Sequence, residues 1–186
     1  MKRVIIVHRW DGNPEADWYQ WLKEELEERK VKVEILVMPH PERPEIISWV
    51  DVIKKHVKNP DKETYFIGHS IGCQAILRYL KTLSSDTKIG GCVLVAGFLK
   101  LNELETDDEK EVAGPWLKED IDFNKIRMMG PITALFSDDD PFVPLENKKI
   151  FEEKLNAKTF LEKGQGHFNE TPAPSVLREI SSLLKI

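Results

Sequence analysis

One short stretch holds the residue types and spacing of a nucleophile. Gly68-His69-Ser70-Ile71-Gly72 reads G-x-S-x-G, between a strand-like run, Thr64–Ile67, and a segment of helical spacing, Ser70–Leu83. A serine at such a junction sits on a sharp strand-to-helix turn that lifts its hydroxyl out at the carboxyl edge of a sheet. Glycine on both flanks removes side chains that would clash across the turn. The following helix aims its first N–H groups at the same point, where an oxyanion can be stabilised. The plainer alternative is a tight turn whose hydroxyl only caps the helix. Other glycine-loop chemistries are excluded, because neither G-x-G-x-x-G nor G-x-x-x-x-G-K-[ST] occurs.

A serine hydroxyl is a poor nucleophile until a base takes its proton. The five histidines are His8, His40, His56, His69 and His167. His167 follows the last short strand in Gly164-Gln165-Gly166-His167-Phe168, where glycines suit a loop that bends back over the sheet edge. His56 lies beside Lys54 and Lys55 and reads as solvated, and His40 lies between Pro39 and Pro41 in a loop. His69 adjoins Ser70 and cannot fold back onto its hydroxyl, so it reads as packing or turn support. His167 is therefore the expected base.

An imidazole base needs a carboxylate to fix its tautomer. The order Ser…Asp…His places that acid after a strand between Ser70 and His167. Asp138, Asp139 and Asp140 stand there consecutively. A cation site or a solvated acidic turn is the alternative, although a hard-cation cage spaces its oxygen ligands instead of stacking three together. The oxyanion donors expected are the amide of Ile71 and one from His8-Arg9-Trp10-Asp11-Gly12, the loop after the first strand, with Trp10 as the donor.

These side chains need a scaffold, and the rest of the chain supplies its pattern. Val4–Val7 is a β-branched run without a polar gap, as in a strand buried on both faces. Asn13-Pro14 has the form of a helix start, with Trp18, Trp21, Leu22 and Leu26 on one face after it. Val31–Met38 is the next strand, and Glu45–Val57 a helix with Ile46, Ile47, Val50 and Ile53 on its apolar side. Beyond the serine turn come strands Gly91–Ala96 and Ile132–Phe136, helix Leu145–Leu155 and the short strand Lys158–Leu161. The closing helix is Pro172–Leu184, capped by Thr171. This alternation predicts an α/β protein of three layers, a doubly wound, mostly parallel sheet with helices on both faces. One segment breaks the rhythm. Phe98–Gly130 carries Glu103, Glu105, Asp107, Asp108, Glu109 and Glu111, then Gly114-Pro115-Trp116. It reads as a solvated acidic loop with a short helix, or as a small flap with Trp116 as its apolar contact.

Length and composition set outer limits. At about 150 residues per domain, 186 residues point to one domain over 1–186. A formal charge of −5 argues against non-specific nucleic-acid binding, which wants a basic face. Cys73 and Cys92 form no CxxC, which excludes zinc ribbons and thioredoxin-type sites, and unpatterned thiols suit a reducing cytoplasm. The apolar run after Lys2-Arg3 is too short for a secretory signal, and no stretch approaches the ~18 apolar residues of a membrane span. A cytoplasmic protein without a membrane span is expected.

At these residues the chain resembles the small α/β-hydrolase-fold serine hydrolases of the retinoblastoma-binding protein 9 and YdeN-like family. The resemblance runs over nearly the whole length, through Val7-His8, Trp18-Tyr19-Gln20-Trp21-Leu22-Lys23, Met38-Pro39, Gly68–Gly72, Leu94–Phe98, Asp139–Pro144 and Gly166-His167-Phe168. It implies a compact α/β-hydrolase fold without a large cap, and by position a triad of Ser70, Asp140 and His167. Pro141 also favours Asp140, because it biases that residue toward an extended backbone and so constrains its side chain. Asp139 would point the other way in an extended chain. One departure stands out: hydrolases of this fold often carry His-Gly before the oxyanion donor, where this chain has His8-Arg9. Arg9 is expected to pair with Asp11 or stay in water, with an acidic substrate group as the alternative. The expected activity is cleavage of small carboxylic esters, or amides, through an acyl-enzyme, with no metal and no organic cofactor. A binding protein of the same fold with vestigial activity is the alternative. Neither cysteine belongs to an L-x-C-x-E ligand of the retinoblastoma pocket.

Overall fold

β-branched runs without polar gaps become the middle of a sheet. In the computed structural model, which describes residues 1–118 and 120–186, six parallel strands lie in the order β2-β1-β3-β4-β5-β6. They are β1 (Arg3–Val7), β2 (Lys32–Ile35), β3 (Thr64–His69), β4 (Gly91–Val95), β5 (Ile132–Ser137) and β6 (Lys158–Glu162). β3, β4 and β5 are buried at every position, whereas the edge strands β2 and β6 expose some of theirs. The helices between them are α1 (Tyr19–Glu28), α2 (Ile46–His56), α3 (Ile71–Thr82), α4 (Asp107–Leu117), α5 (Phe123–Ile126), α6 (Glu146–Leu155) and α7 (Pro174–Leu184). From β1 the chain steps one way to β2, then the other way through β3 to β6. Right-handed crossovers then put α1 on one face and α2, α3 and α6 on the other. α7 packs on β4 and β5. The expected doubly wound sheet is there, wholly parallel among the described residues.

Two helix starts lie later than the sequence signals suggest. Asn13 does cap something: its Oδ1 accepts the Glu15 N–H at 2.9 Å, but this closes a turn, not a helix. Asp17 then takes a left-handed backbone, φ 51°, and α1 begins only at Tyr19. Likewise α7 begins at Pro174, and the Thr171 hydroxyl is spent on the Asp17 carbonyl at 2.7 Å. β2 is shorter than the run Val31–Met38.

The irregular acidic segment holds a real helix. Thr106 and Glu109 form a reciprocal capping box, and Asp107, Asp108 and Glu109 occupy the first turn of α4, where negative charge complements the helix dipole. Its far end is anchored by Trp116, which is buried edge-on against Trp49 at 6.0 Å and donates Nε1–H to the Pro44 carbonyl. The buried Arg78 guanidinium donates to the Trp116 and Lys118 carbonyls, which the helix end would otherwise leave unpaired. Position 119 of this segment lies outside the described residues. No helix among the described residues is long and apolar enough to cross a membrane.

Candidate active site

The strand order decides which loops meet. β1 and β3 are neighbours, with Val7 opposite Gly68, and the winding reverses between them. In open parallel sheets the crevice beyond the strand ends at such a switch is where ligands bind. Ser70 stands there, with φ 54° and ψ −119°. That backbone costs an L residue about 1–3 kcal/mol and persists only where its surroundings hold it. Here the Ser70 N–H donates to the Val95 carbonyl at 2.8 Å, which ties the turn to β4. The flanking glycines make the turn possible by close approach. A Cβ on Gly68 would meet the Cys73 backbone at 2.7 Å, and one on Gly72 would meet the carbonyl oxygens of Val7 and His8. Ile71 opens α3, so its N–H has no partner within the helix.

The three aspartates after β5 have three destinations. Asp140 Oδ2 lies 2.8 Å from His167 Nδ1. Its Oδ1 accepts the N–H groups of Phe142 and Val143 at 2.9 and 3.1 Å, so both oxygens are fixed beyond the proline. Asp139 Oδ1 accepts the Ser137 hydroxyl at 2.6 Å and the Gly166 N–H at 2.7 Å, and these bonds, the hydroxyl first, hold its carboxyl below the usual range. Asp138 accepts the Gly164 N–H at 2.9 Å. Asp138 and Asp139 thus shape the loop that presents His167, while Asp140 alone addresses its ring. They do not converge on one point as cation ligands would. Among the described residues no group of three or more His, Cys, Asp or Glu side chains is gathered to hold a metal ion.

The other histidines divide as their burial dictates. His8 is buried; Nδ1 donates to the Arg9 carbonyl at 2.8 Å and Nε2 accepts the Met38 N–H at 3.3 Å, while burial lowers its pKa. His69 is wholly buried beneath the His167 loop and supports it. His40 is exposed in a loop, and His56 is exposed in contact with Glu34. Cys73 and Cys92 are buried as free thiols, and burial pushes Cys92 up to about 12.

Arg9 departs from expectation. It pairs with Asp17, not Asp11, with Nε–Oδ2 at 2.7 Å and Nη2–Oδ1 at 3.2 Å. Its own backbone stays out of the left-handed region, and Asp11 takes the positive φ of 52° instead. An arginine is thereby accommodated at position 9 without left-handed backbone strain. The loop is further tied by Asp11 N–H to the Pro41 carbonyl and Trp10 Nε1–H to the Glu42 carbonyl.

Ser70 and His167 line one cavity of about 530 Å³, together with Trp10 and Ile71. Its apolar lining is Phe98, Leu101, Leu104 and Phe142, and its charged lining is Arg9, already paired with Asp17, with Asp11, Glu42, Asp108 and Glu109. Of the aromatic residues that could line an acyl pocket, Trp10 and Phe142 do, whereas Trp18, Trp116 and Phe168 are core. Leu101 and Leu104 were the residues to find. Two leucines three apart in an otherwise charged stretch were their only signal.

An α/β-hydrolase fold with a serine on its strand-to-helix turn defines a class, and comparison with known proteins narrows it. The family model described as serine hydrolase matches residues 4–185, and the chain belongs to that family. It is 33% identical over 171 residues to YdeN of Bacillus subtilis (strain 168), covering 91% of this chain and 87% of that protein. The crystal structure of the ydeN gene product superposes with a TM-score of 0.90 at 28% identity over 100% of both chains. Serine hydrolase RBBP9 of Rattus norvegicus is 27% identical over 98% of this chain and 95% of its own length. Est1E of Butyrivibrio proteoclasticus, solved with ferulic acid bound, shares the fold at a TM-score of 0.77 and 16% identity, over 100% of this chain and 88% of that one.

Proposed function

We propose that the protein hydrolyses small carboxylic esters, or amides, through an acyl-enzyme formed on Ser70. The observation that carries this reading is that the strained Ser70 and His167 line one cavity, with His167 held by Asp140 at 2.8 Å. With Nδ1 held by Asp140, His167 has Nε2 for the hydroxyl. Ser70 Oγ attacks the carbonyl carbon as Nε2 takes its proton, and the Ile71 and Trp10 N–H groups stabilise the oxyanion. The bond to the leaving alkoxide breaks as Nε2 returns the proton to it. Water then attacks the acyl carbon by the same route and regenerates Ser70. Asp140 fixes the tautomer of His167 and stabilises the imidazolium that forms. The apolar lining of Phe98, Leu101, Leu104 and Phe142 suits an uncharged acyl chain, and four lining carboxylates against one arginine already paired with Asp17 disfavour an anionic one. The chain acts as one domain over residues 1–186, in the cytoplasm, on a small-molecule substrate.

The test is labelling with a fluorophosphonate, then hydrolysis of acyl esters of graded length. Ser70→Ala should stay folded, lose labelling and lose turnover by several orders of magnitude. Equal labelling of Ser70→Ala and wild type would end the assignment.

A further inference from the structure

Behind the His167 loop runs a chain of hydrogen bonds, buried at its middle link, that the reaction does not use. The Arg9 N–H donates to Tyr19 Oη at 3.2 Å. Tyr19 Oη lies 2.7 Å from His69 Nδ1, and His69 Nε2 lies 2.7 Å from the carbonyl oxygen of His167. The partners dictate the protons. A carbonyl only accepts, so Nε2 carries the hydrogen. A neutral ring then has its lone pair on Nδ1, which accepts the Tyr19 hydroxyl. Burial first, and the neighbouring His167 second, push His69 well below the ordinary histidine value. Burial likewise keeps the proton on Tyr19. Asp17 comes to 3.8 Å from His69 Nδ1, but its two oxygens already face the Arg9 guanidinium. Every donor in the chain therefore points one way, from the loop after β1 toward the loop after β6, and such aligned bonds polarise one another.

The His167 loop needs this support because of the topology. It leaves the edge strand β6 and must cross the ends of β5 and β4 to reach Ser70 beyond β3. Trp18 Nε1–H holds the next carbonyl, that of Phe168, at 2.7 Å, so two consecutive carbonyls of the loop are gripped from below. The His69 and His167 rings lie 5.3 Å apart.

We propose that Tyr19 and His69 are positioning residues: their relay fixes the His167 carbonyl, and through it the ring that serves Ser70, and couples that placement to the Arg9–Trp10 loop. The proposal rests on the reading of Ser70, Asp140 and His167 given above. Neither residue touches substrate. Their effect is on how often the base stands within reach of the hydroxyl, and a misplacement of ~1 Å costs on the order of 10²-fold in rate.

The experiment uses the full chain. His69→Phe keeps a ring and removes both nitrogens, His69→Gln restores an amide N–H near the place of Nε2, and Tyr19→Phe removes one oxygen. Rates are taken per site, with sites counted by fluorophosphonate titration. A residue that only filled the core would lower the number of sites, not the rate at each. Per-site kcat should fall about 10²-fold in His69→Phe and roughly tenfold in Tyr19→Phe, with KM within about twofold, and His69→Gln should recover about tenfold of the loss. Per-site rates equal to wild type in His69→Phe, or no recovery in His69→Gln, overturn the proposal. If His69→Phe fails to fold, Tyr19→Phe decides by the same criterion. A second readout needs no turnover: the Nδ1 proton that His167 shares with Asp140, followed by NMR. Its signal should broaden or vanish in His69→Phe and Tyr19→Phe and return in His69→Gln. If wild type neither labels nor hydrolyses any ester, the hydrolase reading fails, and the relay stands or falls on this signal alone, an unchanged signal overturning it.

Discussion

Two acidic stretches look alike as sequence and do opposite things. Asp138–Asp140 follows β5, and each carboxylate meets a donor: the Gly164 amide, the Ser137 hydroxyl with the Gly166 amide, and His167. The Asp140 side chain is 2% exposed. The run from Glu103 to Glu111 stays in water, with Asp107 fully exposed and Asp108 71% exposed. Asp107, Asp108 and Glu109 serve the first turn of α4, Asp108 and Glu111 make two surface pairs to Arg43, and Asp108 and Glu109 also border the cavity. The difference lies in the supply of donors. A parallel sheet delivers a second loop next to the first, and its amides organise the carboxylates one by one, whereas the surface helix offers its own N-terminus and one exposed arginine. Charge density is therefore no guide to chemistry until one knows what faces it.

The sharpest way to break this contrast is to neutralise the aspartates singly. Asp140→Asn should lower kcat by roughly 10³–10⁴, since the amide turns an N–H toward His167 Nδ1 and enforces the wrong tautomer. Asp138→Asn and Asp139→Asn retain an oxygen for the loop amides and should cost far less, as kcat/KM on one ester with circular dichroism will read. A crippled Asp139→Asn beside a healthy Asp140→Asn would reverse the assignment. On the other stretch, Trp116→Ala should destabilise by about 3–5 kcal/mol in denaturant melts, because α4 is held by this buried ring. Per-site kcat should change little; a large loss of kcat without a loss of stability would make α4 part of the chemistry.

Acid should find the two buried histidines, His8 and His69, first. His8 and His69 titrate below their free value in the fold, His69 well below. As the pH drops through ~6.5 the unfolded chain takes up protons that the folded chain refuses. Stability is thus full above that value and declines below it, by up to about 1.4 kcal/mol per pH unit for each group. Melting temperature should fall from pH 7 to pH 5, and His69→Gln should flatten part of the slope; an unaltered slope would discharge His69 from this role. The smallest effect belongs to Arg43. Its pairs with Asp108 and Glu111 are exposed, so Arg43→Ala should leave the melting temperature almost unmoved and change kcat by less than about twofold. A larger change would give α4 more hold over the cavity than its exposed pairs imply.

What could be read in advance follows the same line. The serine turn was legible because its glycines, strand and helix are contiguous, and the sheet because buried parallel strands are unbroken apolar runs. Asn13-Pro14 misled because a cap signal is satisfied as well by a turn, as the Glu15 amide shows. The partner of Arg9 and the service of His69 lie across the fold: Asp17 is eight residues from Arg9, and His167 is 98 from His69. No local pattern announces such a meeting. Leu101 and Leu104 were hidden by the charge around them.

Gly72 has a consequence of its own. It rests against the last carbonyls of β1, those of Val7 and His8, with no space for a methyl group. The Ile71 amide is one residue before it, and the Trp10 amide two residues beyond His8. The bare α-carbon at position 72 therefore works as a gauge block, setting the gap between the two N–H groups proposed to receive the oxyanion. A wedge of one carbon there would leave Ser70, Asp140 and His167 chemically intact and yet open the jaws in which the reacting oxygen has to fit.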